Sequence, residues 1–348
     1  MAVKTLAVKY RPKTWDDVTE QFSIKIILQQ QLDSEEIKNA YLFVGPAGCG
    51  KTTCARIFAN DINKGMGNPI ELDAASNNGV DDVRGIIQQA KTKSLNSEYK
   101  IFIIDECHAI SNAGWQAMLK LLEEPPAKSI FILCTTDPQK IPKTILSRVQ
   151  RYDFGRISKI GICRRLELIY HAEVVERNLP ADCNYGEAIE YIAKLADGGM
   201  RDAITLLDKC LAYSKELTIE NVVKALGTTD YGPMFKLTDA LLGYNNLSVK
   251  NALDVINDIY DDGKDLKQFV KMYIQFLTDC IKFNLKCKWS QISIPKLDEY
   301  VEILESYEYD DFKELQQWLE KFVQISAEIK WSQTVKTDIE SMLIVYGR

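Results

Sequence analysis

The stretch GPAGCGKT, Gly45 to Thr52, has the spacing G-x-x-x-x-G-K-[ST]. Glycines so spaced let successive backbone N–H groups of Gly45, Pro46, Ala47, Gly48, Cys49 and Gly50 curl around a β-phosphate, proline excepted as a donor. Lys51 then supplies a point charge to the β- and γ-oxygens, the Thr52 hydroxyl reaches Mg²⁺, and Thr53 continues into the helix. A second group of residues, Asp105-Glu106, ends the apolar run IFII. Carboxylates there suit a metal ligand (Asp105) and a base that orients and deprotonates an attacking water (Glu106). Thr135 and Thr136 end a third apolar run. Either would hold the water or the γ-phosphate from an adjacent strand tip, or would cap a helix. Arg201, in GGMRDAI, either reaches the phosphates from a second domain or pairs with an aspartate on a solvated face. Arg148 and Arg151, in IPKTILSRVQRYDF, are fixed positive charges about a hundred residues past Lys51.

These groups must be positioned by something rigid. YLFV (41–44), IFII (101–104) and IFILC (130–134) are near-continuous apolar runs, as expected of parallel strands covered on both faces, with IELDA (70–74) a weaker fourth. Helical periods lie between them: in KTTCARIFANDI, Cys54, Phe58 and Ile62 share one face. Alternating strand and helix predicts an α/β domain. After about residue 157 the strand signals fade and the periods are helical to the end, with the breakers of ALGTTDYGP (225–233) suggesting a linker.

Length and composition bound the rest. A chain of 348 residues predicts two or three domains. A formal net charge of −6 and a pI near 5.3 argue against coating nucleic acid by bulk charge, and leave room for a local basic surface. The nine cysteines show no C-x-x-C spacing and only two histidines accompany them, so no zinc is expected and buried free thiols are. No apolar run approaches the ~18 residues that span a bilayer, and the N-terminus lacks a signal-peptide pattern. A soluble cytoplasmic protein with no membrane partner is the expectation.

Six segments, KYRPKTWDDV, GPAGCGKTT, ELDAASNNGVDDVR, IIDECHAIS, MLKLLEEPPAKSIFILCTTDPQKIPKTILSR and DGGMRDAITLLD, resemble in this order the clamp-loader ATPases of the AAA+ class. Gamma/tau subunits of bacterial DNA polymerase III, and then replication factor C small subunits, are the nearest likeness, over about residues 4–230. The resemblance implies an α/β P-loop ATPase domain with a parallel sheet (1–157), a small helical lid (158–230) and an all-α collar that holds a ring together (231–348). It implies ATP and Mg²⁺ as ligands, and loading of a ring-shaped sliding clamp onto primer–template DNA, with hydrolysis closing the clamp. Other loader subunits in a pentameric ring, and a DNA polymerase, are the implied partners. Carried onto this sequence, Lys51 and Thr52 hold phosphate and Mg²⁺, with Asp105 and Glu106 behind them. Thr136 is the first sensor and Arg201 the second. Tyr10, Arg11 and Pro12 pack near the adenine, and Arg148 reaches the neighbouring subunit's nucleotide in trans.

Two departures stand out. The family's four-cysteine zinc module is replaced by NDINKGMGNP, and the long tail of tau-like forms is expected to be absent; the expectation is then a compact, phage-encoded or otherwise minimal replication system working in its host's cytoplasm. DNA contacts are expected near SNNGVDDVR (76–84) and SNAGW (111–115), with Arg84, Lys91 and Lys93 adding charge, although an ordinary solvated helix face reads the same way. Rival readings are another AAA+ DNA-processing ATPase, for branch migration or recombination, and a hydrolysis-deficient stator.

Overall fold

A computed structural model describes residues 4–76, 79–94, 96–180, 184–226, 231–307 and 311–347. Asn77 and Asn78 of the expected DNA-facing stretch, and residues 227–230 of the expected linker, lie outside the described residues. The chain divides into two compact units, Met1–Asp182 with Ile192–Lys215, and Cys183–Tyr191 with Glu216–Arg348.

The first unit is built on five strands: β1 (Ala40–Val44), β2 (Ile70–Asp73), β3 (Lys100–Asp105), β4 (Ser129–Thr135) and β5 (Gln150–Asp153). They run in the order β2-β3-β4-β1-β5, every pair parallel. The apolar runs become the interior strands: every residue of β1 and β4 is buried. The weak candidate IELD forms the half-buried edge strand β2. The other edge, β5, is an addition to the expected strands. In Gln-Arg-Tyr-Asp only Tyr152 is buried, so no apolar run marks it.

Helices α1 (Leu6–Lys9), α2 (Phe22–Asp33), α3 (Lys51–Ile62), α4 (Val80–Ala90), α5 (Asn112–Glu123), α6 (Lys143–Leu146) and α7 (Lys159–Arg177) belong to the first unit. Helix α8 (Tyr185–Leu195) gives residues to both units, and α9 (Met200–Tyr213) to the first. Alternate strand residues point to opposite faces. Tyr41, Phe43, Ile103 and Ile132 pack with Leu28 of α2 and Phe58 of α3. Leu42, Phe102, Ile104 and Leu133 pack with Val83 of α4 and Trp115 and Met118 of α5. The sheet is therefore covered twice, which explains why its central strands are apolar throughout.

In the second unit α10 (Ile219–Leu226), α11 (Gly232–Leu242), α12 (Val249–Asp261), α13 (Leu266–Asn284), α14 (Asp298–Ser306), α15 (Asp311–Glu328) and α16 (Val335–Tyr346) follow one another. Their apolar faces enclose Phe235, Tyr273, Phe276, Phe322 and Leu343. Buried hydroxyls are satisfied there: Tyr273 and Thr238 share a 2.7 Å hydrogen bond, and Tyr307 donates to Asp239 at 3.0 Å.

One buried carboxylate ties the N-terminal segment down within the first unit. Glu173 of α7, fully buried, accepts from Lys9 Nζ at 2.5 Å and from the Tyr10 hydroxyl at 2.7 Å, and pairs with Arg177. The Leu6 amide donates to Asp208 of α9 at 3.0 Å. Burial alone would raise the Glu173 pKa, but the bonds from Lys9 and Tyr10 and the charge of Arg177 hold it below the usual carboxylate range. Replacing Glu173 by Gln leaves two cations without their shared anion and should lower stability in urea at pH 7 by about 2 kcal/mol. A carboxyl with a depressed folded pKa stabilises above its unfolded value and loses that contribution as pH falls through the folded one. The gap between wild type and Glu173→Gln should therefore narrow below about pH 4.3. A constant gap from pH 7 to 3 would contradict this role.

Candidate functional site

Strand register brings the chemistry to one edge. Val44 pairs with Thr135 and with Asp153, and Asp73 pairs with Asp105, so the carboxyl ends of all five strands finish at one level, where open α/β sheets bind ligands. From that level the loop after β1 turns sharply. Its glycines adopt positive φ values that side chains rarely take, +70° at Gly48 and +101° at Gly50, and Gly50 has nothing within 4 Å of where a Cβ would stand. The turn delivers Lys51 and Thr52 to the first turn of α3.

Lys51, only 6 % exposed, donates from Nζ to the Gly45 and Pro46 carbonyls, each at 2.8 Å. The Thr52 hydroxyl donates to Asp105 Oδ2 at 2.7 Å, and Asp105 Oδ1 accepts the Glu106 amide at 3.1 Å. A hydroxyl and a carboxylate in contact at the mouth of a phosphate-binding loop fit Mg²⁺, which takes one or two protein oxygens and completes its shell with water and phosphate. Glu106 adopts a left-handed φ of +46°, a strain found at functional sites. Its Oε2 accepts the Thr136 hydroxyl at 3.1 Å. Thr135 is fully buried, and its Oγ1 accepts the Asp137 amide at 3.0 Å and meets His108 Nδ1 at 3.1 Å. Of the two threonines, Thr136 is the one in contact with Glu106 and exposed at the strand tip.

A cavity of about 610 Å³ opens beside this edge, entirely within the first unit. Tyr10, Arg11 and Pro12, Ala47 to Thr53, Asp105, Glu106 and Arg201 all line it. Gly45, Pro46, Thr136 and Arg148 do not line it. The Tyr10 hydroxyl is turned to Glu173 and donates to it at 2.7 Å. Arg201 is the second residue of α9, beside the loop: the Met200 amide donates to the Gly48 carbonyl at 3.0 Å, and Arg201 makes no ion pair among the described residues.

Sequence reasoning missed Arg56 and Arg165, which also line the cavity. Arg56 ion-pairs with Glu71, and Arg165 donates to the Tyr10 carbonyl at 3.1 Å. Arg56 falls one helical turn after Thr52, a spacing that could have flagged it. Nothing in KIGICRRLELIY singles out Arg165. Burial, and then the nearby charges of Arg56 and Arg201, push the Arg11 guanidinium below its ordinary pKa, with Glu71 and Asp105 opposing.

Arg148 stands elsewhere. It donates to the Thr144 carbonyl at 2.6 Å, to the Ser147 hydroxyl at 3.1 Å and to Glu123 at 2.7 Å. Arg151 is held in a forked ion pair by Asp153, at 2.9 and 2.6 Å. Among the residues expected near DNA, Arg84 pairs with Asp81 at 3.1 Å, Lys91 and Lys93 are exposed, and the Ser111 hydroxyl caps α5 by accepting the Gly114 amide at 3.2 Å.

Residues 69–158 match the family model of the DNA polymerase III delta subunit, and residues 162–216 match the ATPase lid domain of a DNA polymerase III clamp loader subunit. The chain is 37% identical over 306 residues to DNA polymerase III subunit tau of Bacillus subtilis, covering 82% of this chain and 53% of the relative. It is 33% identical over 267 residues to the tau subunit of Escherichia coli, covering 70% and 40%. It thus spans about half or less of the length of these relatives. Among solved structures, the RuvB Holliday junction branch migration motor of Thermotoga maritima superposes with a TM-score of 0.52 at 18% identity, covering 74% of this chain and 86% of that one. At that identity the likeness concerns fold alone.

The close approach of Gly48 to the start of α9 is testable. A Cβ on Gly48 would lie 3.1 Å from Gly199 Cα, on a backbone with φ of +70°. Gly48→Ala should cost about 1–2 kcal/mol of loop geometry, and titration with a fluorescent ATP analogue should show ~10-fold weaker binding. Unchanged affinity would mean that the loop tolerates the displacement.

Proposed function

The chain belongs to the AAA+ clamp-loader ATPases, the family of the DNA polymerase III tau and gamma/tau subunits, and on that premise we propose that it hydrolyses ATP as one subunit of an oligomeric loader. In this reading the assembly opens a ring-shaped sliding clamp and closes it around primer–template DNA. The division into an ATPase domain (1–157), a lid (158–230) and a collar (231–348) belongs to the same proposal, as do a pentameric ring, a DNA polymerase partner and a cytoplasmic setting. No helix among the described residues is long and apolar enough to cross a membrane.

The chain's own residues divide the work. Loop amides and Lys51 bind and orient the β- and γ-phosphates. Thr52 and Asp105 are the ligands for Mg²⁺, which when bound neutralises phosphate charge. Glu106 takes the proton of the attacking water, with Thr136 steadying its carboxylate. Arg11, Arg56 and Arg201 draw the triphosphate in and hold it against the start of α9.

Arg148 carries the reading. Its guanidinium is outside the cavity of its own chain, hung between Thr144 and Glu123 on one exposed edge. That placement supports use of Arg148 on the nucleotide of a neighbouring subunit. Retention of Lys51, Thr52, Asp105 and Glu106 speaks against a stator. The RuvB likeness does not favour branch migration, because it extends to fold alone.

Mixing separates these readings. Lys51→Ala and Arg148→Ala proteins should each lose ~10³-fold or more in turnover, the scale of a missing arginine finger. Co-assembled, they should partly recover, since some interfaces then pair an intact loop with an intact neighbouring arginine. Absence of recovery would assign Arg148 to its own chain or to no catalytic role. Stimulation by clamp and primer–template DNA together marks a loader; stimulation by DNA alone, with no response to a clamp, would overturn it.

A further inference from the structure

Residue type and position disagree at Gln21. It is the N-cap residue of α2, where Ser, Thr, Asp and Asn are favoured because their short side chains fold back on the helix, yet its own side chain makes no capping hydrogen bond. Its φ of +52° and the +56° of Glu20 put two successive side-chain-bearing residues in the left-handed region, which glycine or asparagine would occupy at less cost. Strain of this kind persists where the surroundings over-determine it, and here the side chains supply the reason.

The Gln21 carboxamide is spent on two other elements. Nε2 donates to the Gly155 carbonyl at 2.8 Å and to the Cys49 carbonyl at 3.4 Å, while Oε1 accepts the Gly155 amide at 3.3 Å. The opposite setting of the amide would bring oxygen against two carbonyls. Gly155 lies between β5 and α7, and Cys49 lies in the phosphate loop. Glu20 grips the same junction at the start of α7, where its Oε2 accepts the Ser158 amide at 3.0 Å.

In a planar trans peptide the carbonyl and the following N–H point in opposite directions. The Cys49 carbonyl takes no hydrogen bond other than that of Gln21 among the described residues, so Gln21 sets the plane of the Cys49–Gly50 peptide and turns the Gly50 N–H away from itself. Gly50 lines the cavity and Gln21 does not. The Gly50 N–H makes no hydrogen bond among the described residues, which leaves it a free donor. The preceding plane is held from another side, by the Met200 amide on the Gly48 carbonyl. Glycines hold no plane by their own sterics, so the loop depends on these outside contacts.

We propose that Gln21 is a positioning residue for nucleotide binding: its carboxamide, anchored on Gly155, holds the Cys49 carbonyl so that the Gly50 N–H is presented to a β-phosphate oxygen in the cavity. The inference rests on the reading of Gly45–Thr52 as the phosphate loop. Gln21 itself touches no nucleotide and acts only through the plane of one peptide.

The test is binding of a fluorescent ATP analogue to the full chain, displaced by ADP and by AMP, with thermal unfolding measured in parallel. Gln21→Ala should weaken binding of the analogue and of ADP ~5-fold, the scale of one hydrogen bond, and leave AMP within ~2-fold, because AMP carries no β-phosphate. Gln21→Glu keeps the acceptor for the Gly155 amide but sets oxygen against both carbonyls, and should bind ADP no better than the alanine protein. Gln21→Gly separates the fold from the site. It relaxes the left-handed backbone, so its unfolding temperature should be no lower than that of Gln21→Ala, while its ADP affinity stays as weak. Wild-type ADP affinity in Gln21→Ala, an equal loss for AMP and ADP, or ADP affinity restored in Gln21→Gly would overturn the proposal and leave the phosphate loop as assigned. Undiminished analogue binding in Lys51→Ala would instead remove the phosphate-loop reading on which it stands.

Discussion

In a parallel sheet every strand delivers its carboxyl end to the same edge, and the pairings of Val44 with Thr135 and Asp153, and of Asp73 with Asp105, set that edge to within a residue. A slip of one residue along any strand would reverse which side chains face α2 and α3 and which face α4 and α5. The hydrophobic core therefore enforces the level at which loop, carboxylates and threonines emerge. Hydrogen bonds extend that order past the last strand residues: the Gly45 amide donates to the Thr135 carbonyl and the Phe154 amide to Val44, at 3.1 and 2.7 Å. What holds the site together is the burial of Leu, Ile and Phe far behind it.

Charge is mixed around the site. A chain with a formal net charge of −6 places Lys51, Arg11, Arg56, Arg165 and Arg201 around one cavity and sets Glu71, Asp73, Asp105, Glu106 and Asp202 among them. Part of the guanidinium self-repulsion is evident in Arg11, where burial and its like-charged neighbours act together.

The phosphate loop, Asp105, Glu106 and four of the five strands, β2 more weakly than the others, were legible because each depends on residues adjacent in the chain. The runs YLFV and IFILC announce their burial on both faces, and the loop glycines announce a backbone that glycine adopts most readily. Strand β5 was not legible, because an edge strand needs only Tyr152 to be apolar. Arg165 and Gln21 were not legible because each acquires its meaning from partners brought close by folding, Tyr10 in the first case and Cys49 with Gly155 in the second. The break between α8 and α9 is intermediate. The pair Gly198-Gly199 is visible in the sequence, but the reason for it, the approach of Gly48, is not.

That facing pair of glycines also limits how the chain can drift. A side chain on Gly48 meets Gly199, and a side chain on Gly199 would come within 2.8 Å of Asp202 and 3.2 Å of the Ala196 carbonyl. Gly198, with φ of +86°, is closed by Arg156 at 2.7 Å. Gly48 and Gly198 combine a positive φ with a close contact, whereas Gly199 has an ordinary φ and its nearest contact is the side-chain end of Asp202. The start of α9 thus meets the phosphate loop backbone to backbone, with no room for a side chain on Gly48 between them.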